Sequence, residues 1–548
     1  MLAISLIFAG LFTYTQQNGF HFTSPFHSSP LKEDAQVDFW CPLAPIPGPP
    51  SDGLKDSREL TGSDIRQRQV ERLSAAVNVS TQSFEDSGDV ETDTRWRVFD
   101  ELHEVLRKLF PLVHENLHVE KVNKYGILYT WKGSTVELKP ILFMAHQDVV
   151  PSGPAEKWTY APFQAHYDGQ FVWGRGASDC KNNLIGLLST AEELLRQRWT
   201  PKRTIILAFG FDEEIGGERG AKHIAQHLEK ILGKDSLAMV HDEGGMGFQE
   251  MGDMVYALPA IAEKGFVDIV LHVKVKGGHS SRPPPHTGIG IASEIVVELE
   301  KHPFVPRLTA SNPLMNLLQC QVRYSPREVE DWLPDALASK WDEVTIGKDL
   351  ARSRGPDVRF AMQTSQAVTI FNGGEKDNQL PDSANITINY RIAPHDSVDK
   401  IRRSVLDVIS PIAKQHDLSI EELELDSQGS LLLSTRDDLE PSPVSPTADS
   451  NAVWKLFGGT IRSVFEDVES FKGKTIVAVG DIMLGNTDTV HYWNLTRNIY
   501  RFSPARAGTR INVHTIDERI DMDAHLEGMR LYYELMRNFD ILEDKNLS

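Results

Sequence analysis

The side chains able to hold divalent metal sit at five places: His146, Asp179, Glu214, Asp242 and His514. Two imidazoles and three carboxylates exceed what one tetrahedral zinc takes, but they suit two zinc ions sharing a bridging carboxylate. Metals ~3.5–4 Å apart polarise a scissile carbonyl and bring the pKa of a bound water from about 15.7 towards ~7. The released proton needs an acceptor, and Glu213, next to Glu214, is the candidate general base and later acid. Asp148, two residues beyond His146, can accept the other ring N–H and fix its tautomer. Each residue alone is more often a helix cap or a satisfied polar group. Their common place after apolar runs gives the set its weight.

Those runs define the elements. Residues 141–146 and 204–209 are near-continuous apolar strands, and Leu184, Leu187, Leu188, Ala191, Leu194 and Leu195 form a helical stripe after Asp179. Such alternation predicts an α/β fold with a mainly parallel sheet, in which ligands gather beyond the carboxyl ends of the strands. Upstream, Asp93 can cap a helix carrying Val98, Phe99, Leu102, Leu106 and Leu109.

Near residue 262 the pattern changes. Val267, Ile269, Leu271, Val273 and Val275 alternate with Asp268, His272 and Lys274, as in a half-exposed antiparallel strand. A helix over 289–299, strands at 367–371 and 384–392, and a helix over 398–412 complete an α+β, ferredoxin-like β-α-β-β-α-β unit, with 302–365 as a helical insertion. The Pro-rich stretch 440–446 marks the return to the first sheet, followed by the loop 485–488, a strand running into His514 and a C-terminal helix. The division expected is an N-terminal signal peptide or signal-anchor (1–23), a Pro-rich stalk (24–58), a catalytic domain in two parts (59–262 and 425–548) and an interrupting domain (263–424).

A formal charge of 57 minus 77, or −20, without a basic cluster argues against a nucleic-acid partner. Three cysteines, Cys41, Cys180 and Cys320, allow one disulfide and form no CxxC module, and Cys180 reads as structural. The apolar run 2–12 is shorter than the ~17–25 residues of a membrane span and nearer a signal-peptide core. That favours the secretory pathway, with which sequons at Asn78, Asn385, Asn494 and Asn546 are compatible.

The motifs HQDVVP, GRGASDCKNN, FGFDEEIGGERGA, HDEGG and GGHSSRPP resemble those of the co-catalytic zinc peptidase family of aminoacylase, carnosinase and carboxypeptidase S. The resemblance runs from about residue 60 to the C-terminus and implies a di-zinc metallopeptidase with Asp179 bridging. It implies His146 and Asp242 on one ion, Glu214 and His514 on the other, Glu213 as base and Asp148 as orienting residue. The interrupting domain becomes a lid and, in many members, a dimerisation module. His279 resembles the histidine that stabilises the tetrahedral intermediate, while Asn378 and Arg391 resemble residues gripping the substrate. Arg391 suits a free carboxylate, since a guanidinium offers paired donors.

The ordering of motifs is most similar to the fungal carboxypeptidase S branch. That implies a Gly-Xaa carboxypeptidase of the vacuole lumen, with an N-acyl amino acid hydrolase as the second reading. Both reactions cleave an amide beside a free carboxylate, so one anchor serves both. A metal-containing binding protein without catalysis would lack a base or ligand; here all are present.

Overall fold

The computed structural model describes residues 39–339, 342–421 and 429–544. The apolar N-terminal run and the Asn546 sequon lie outside these residues. Strand Ile141–His146 is buried throughout. Its side chains alternate between two cores, with Ile141, Phe143 and Ala145 in one and Leu142 and Met144 in the other. Strand Ile205–Gly210 divides the same way, Leu207 and Phe209 to one side and Ile206 and Ala208 to the other. Burial on both faces is why neither strand shows a polar alternation.

The two strands pair in parallel within an eight-stranded sheet. In spatial order it runs His118–Val122, Gly126–Trp131, Ile205–Gly210, Ile141–His146, Met239–Asp242, Ile499–Arg501, Ala260–Glu263, Asp481–Met483. The centre, from Ile205–Gly210 through Ile499–Arg501, is parallel, and the first two strands add to it antiparallel. Helices Ser63–Val77, Lys181–Arg196, Ala452–Phe465 and Met522–Asp540 cover one face, and Ala221–Leu232 covers the other. His146 and Asp242 end adjacent parallel strands, and Glu213 follows a third. Asp93 caps the short turn Thr94–Arg97, which leads into the expected helix, Val98–Leu109.

The second sheet has the order Ser365–Gly373, Ser383–Ile392, Gly265–Lys274, Ser430–Leu439, Ser419–Glu421. Val267, Ile269, Leu271 and Val273 pack beneath helices Gly288–Lys301 and Val398–Gln415. Strand Ser430–Leu439 pairs along Gly265–Lys274, so this sheet runs past the expected boundary at 424. The reason is sequential: the β-α-β-β-α-β unit needs its last strand, which follows the second helix.

The insertion forms four helices, Pro313–Tyr324, Leu333–Ala338, Glu343–Arg354 and Pro356–Ala361. Its apolar residues Leu314, Leu318, Leu333 and Leu350 pack with Tyr256, Leu258, Val477 and Ile482 of the catalytic part. By core it belongs to that part, although its sequence falls inside 263–424. The expected stalk is also different, because residues 39–58 lie against the body. Cys41 is disulfide-bonded to Cys320, Asp52 holds Arg537 through two hydrogen bonds of 2.8 and 2.7 Å, and the Pro45 carbonyl occupies the space a side chain at Gly459 would need.

Candidate active site

Strand ends and the turns after them bring five of the expected residues together. His146 Nε2 lies 3.3 Å from Asp179 Oδ1 and 3.9 Å from Glu213 Oε2. His514 Nε2 lies 3.1 Å from Asp179 Oδ2 and 3.1 Å from Glu214 Oε2. One carboxylate thus turns one oxygen to each histidine. His146 with Asp179 and Cys180, His146 with Glu213 and Glu214, and Asp179 with Glu214 and His514 form overlapping groups whose donor atoms lie within 4.8 Å of one another. Asp242 stands outside those groups; its Oδ1 accepts from the Glu243 amide at 2.8 Å, while its Oδ2 is buried without a partner.

Glu214 Oε1 is likewise buried and unpaired. Burial drives the Glu213 carboxyl well above the usual range, and the neighbouring Glu214, Asp488 and Glu243 add to it. Burial also raises Asp242, to about 6. Burial alone would lower His514, but hydrogen bonds to Asp179 and Glu214 outweigh it and raise the imidazole to about 11. Packed carboxylates with unpaired buried oxygens cost free energy unless cations compensate them. The hard oxygens and imidazole nitrogens fit first-row divalent ions, and the two-sided Asp179 fits a pair.

Asp148 is fully buried and holds more than the histidine. His146 Nδ1 is nearest the main-chain oxygen of Asp148, at 3.0 Å, with the carboxylate at 3.4 Å. The carboxylate accepts the amides of Glu213 and Glu214 at 3.1 and 3.2 Å and the Ser83 hydroxyl at 2.7 Å. It therefore fixes the turn that aims the glutamate pair. Cys180 is buried, and its sulfur accepts the His146 amide at 3.2 Å. Burial raises its thiol well above the ordinary value, which keeps it protonated.

One further acid, Glu518, was missed in the sequence, and a second, Asp488, was singled out there only as part of the loop 485–488. Glu518, buried, accepts the amides of Gly176, Ser178 and Asp179 at 3.1, 2.9 and 3.0 Å and pairs with Arg175 at 2.6 Å. Its signal was its place four residues after His514. Asp488, buried in the loop 485–488, presses on Gly210 and Gly217, where an added Cβ would meet its oxygens at 2.4 and 2.3 Å.

In the second sheet's unit, His279 is exposed in a short two-stranded antiparallel ribbon, Gly278–His279 pairing Gln379–Leu380. Its Nδ1 accepts from the Ser281 amide at 3.1 Å, which leaves the proton on Nε2. Asn378 stands beside it, its carbonyl accepting from the Ser280 amide at 3.1 Å. Among the described residues, no hydrogen bond or ion pair joins His279 or Asn378 to the metal-binding group. Arg391 lies over the Phe266 ring at 5.6 Å, and its Nη1 reaches Asn486 Oδ1 at 3.4 Å. Strand Ser383–Ile392 and the loop 485–488 thus meet.

An α/β sheet whose strand ends gather two histidines and a cluster of carboxylates is a metal-dependent hydrolase architecture. Residues 142–538 match the family model of peptidase family M20/M25/M40. The chain belongs to this family and is a metallopeptidase. It is 36% identical to carboxypeptidase S of Saccharomyces cerevisiae over 98% of this chain and 95% of that protein. It is 33% identical to the N-fatty-acyl-amino acid synthase/hydrolase of Mus musculus over 86% of this chain and 88% of that protein. In fold it is similar to an M20 family metallo-carboxypeptidase from Sulfolobus solfataricus, with a TM-score of 0.59 and 18% identity over 86% of this chain and 99% of that one.

Proposed function

We propose that this enzyme is a two-zinc carboxypeptidase that hydrolyses the amide next to a free C-terminal amino acid in short Gly-Xaa peptides. The observation that carries the reading is Asp179, with one oxygen 3.3 Å from His146 and the other 3.1 Å from His514. His146 and Asp242 would hold one ion and Glu214 and His514 the other, with Asp179 between them. Bound zinc supplies Lewis acidity and lowers the pKa of water. Glu213 accepts the proton of the attacking water and returns it to the leaving amine, the behaviour expected of a carboxyl group raised by burial. His279 Nε2–H donates to the developing oxyanion, and Asn378 grips the substrate beside it.

Arg391 takes the free carboxylate. It makes no salt bridge among the described residues, and the cation nearby, Lys264, is pushed down to about 7 by burial and then by Arg391 itself. Asp268 acts on Arg391 and Asp396 on Lys264 through space, without an ion pair to either cation, so the two can still meet an anionic substrate group. The second reading, an N-acyl amino acid hydrolase, keeps the same anchor and is supported by the murine relative's name. The peptide reading is favoured by the longer match to carboxypeptidase S.

The unit of 263–424, with strand Ser430–Leu439, acts as a lid. Its edge strand Ser365–Gly373 leaves Ile370 and Phe371 40% exposed, a surface for a second copy. The Cys41–Cys320 disulfide supports an oxidising, secretory compartment, with the vacuole lumen as destination. No described helix is long and apolar enough to cross a membrane, and the signal peptide or signal-anchor read at 1–23 lies outside the described residues. Of the sequons, Asn78 and Asn494 are exposed, whereas Asn385 has its Oδ1 buried.

The test is hydrolysis of Gly-Leu and of a long-chain N-acyl-phenylalanine by protein stripped with a chelator and then given zinc. Activity should vanish and return, with Gly-Leu cleaved faster. Turnover indifferent to the chelator discards the mechanism. Faster cleavage of the acyl substrate replaces the peptide reading and keeps the site.

A further inference from the structure

We propose that Asn486 is a positioning residue that holds Arg391 ready for the substrate carboxylate while leaving its charge free. The proposal rests on the reading of Arg391 as the carboxylate anchor. Asn486 is half-buried in the loop 485–488 and has one partner at each end of its amide. Its Nδ2 donates to the Lys264 carbonyl at 2.7 Å, and its Oδ1 accepts from Arg391 Nη1 at 3.4 Å. A carbonyl can only accept and a guanidinium can only donate, so these two partners fix the orientation of the amide. A carboxylate could not donate to the carbonyl, and an aliphatic side chain could serve neither partner.

The place of the contact matters as much as its chemistry. Lys264 connects strand Ala260–Glu263 of the catalytic sheet to strand Gly265–Lys274 of the lid. Its ammonium is fastened to the carbonyls of Phe360 and Gln363, at 3.1 and 2.7 Å, at the end of the helical insertion. The next loop residue, Thr487, donates to the buried Glu263 at 2.9 Å, and Glu263 pairs with Arg501 at 2.8 Å. Asn486 is therefore anchored at the crossing between domains. It reaches from there to a lid strand.

A neutral partner is what a substrate-binding cation requires. A carboxylate at this position would neutralise Arg391 and compete with the substrate for the same donors. The long 3.4 Å contact instead occupies one donor weakly, leaving Nε and Nη2 for a bidentate carboxylate. Phe266 supports the other side of the guanidinium. The inferred selectivity is for a free carboxylate over its amide.

The experiment compares Asn486→Asp, Asn486→Ala and Arg391→Ala on the preferred substrate and on its C-terminal amide, with melting temperatures to establish folding. Asn486→Asp should raise KM for the carboxylate substrate about tenfold or more, the cost of an internal competitor worth about 1.4 kcal/mol. Its kcat should stay within about threefold, and the amide substrate should be little affected. Asn486→Ala should raise KM severalfold, and should add nothing in an Arg391→Ala background, as coupled residues do. A KM unchanged by both Asn486 variants, while Arg391→Ala raises it, overturns the role of Asn486 alone. A KM unchanged by Arg391→Ala overturns the anchor reading beneath it. Additive losses in the double variant, or equal losses on the amide substrate, make Asn486 merely structural and overturn the proposal.

Discussion

Glu213 and Asp148 divide two tasks that mutagenesis can separate. Glu213 carries a raised carboxyl group 3.9 Å from His146 Nε2, and its removal should affect proton transfer more than metal binding. Glu213→Gln should lose about 10²–10⁴-fold in kcat while keeping the parent's metal content by mass spectrometry. Loss of metal along with activity would make it a ligand instead. Asp148 acts through other residues, because its two oxygens hold the amides of Glu213 and Glu214. In Asp148→Asn one acceptor becomes a donor facing an N–H, so the glutamate turn must shift. We expect roughly a 10–100-fold loss of activity with weaker metal retention. An Asn variant with parental metal affinity and rate would show that the turn holds without it. The sequence suggested Asp148 as the partner of His146; its larger load, the glutamate pair, is tertiary and has no spacing signal.

At the scale of elements, strands with both faces buried were readable because their composition is extreme. Runs such as 141–146 admit few other structures, and the placing of candidate metal ligands after them follows from where parallel strands end. What the sequence concealed depends on loops returning from afar. Glu518 reaches three amides across more than 300 positions, and Asp488 settles against Gly210 and Gly217. The glycines record that approach: Gly210 leaves room for the Asp488 carboxylate, which would otherwise stand 2.4 Å from a Cβ. Gly210→Ala should therefore displace the loop and destabilise by about 1–3 kcal/mol, with a lower melting temperature and reduced kcat. Asp488→Ala removes the obstructing oxygens, so the double variant should melt higher than the sum of single losses predicts. Strict additivity would mean that the methyl group clashes elsewhere.

Across the whole molecule, the described part of the expected stalk, residues 39–58, proved to be a strap, and the insertion proved to pack on the catalytic part, since proline content speaks to backbone shape and says nothing of what the chain lies against. The same holds for burial of titratable groups. His525 is buried on the C-terminal helix, with Nε2 3.3 Å from Gln69 Oε1, and burial, then Arg72, pushes its pKa down to about 3. Above the unfolded value of about 6.5 the histidine is neutral in both states and contributes nothing to the pH dependence. Below it, the unfolded chain takes up a proton that the fold refuses, and stability falls by about 1.4 kcal/mol per pH unit until the folded pKa is reached. Buried acids such as Asp481, raised to about 6 by burial, work in the opposite sense over part of that range. The melting curve of the parent therefore mixes the two, and a variant isolates the histidine. His525→Gln can keep a hydrogen bond to Gln69 and cannot titrate. It should be equal to or less stable than the parent at pH 7.5. By pH 4.5 the difference should move in the variant's favour by roughly 2–3 kcal/mol, read as a shift in relative melting temperature. A difference that stays constant between those pH values would mean that His525 titrates normally in the fold, and that tolerance of acid is set elsewhere.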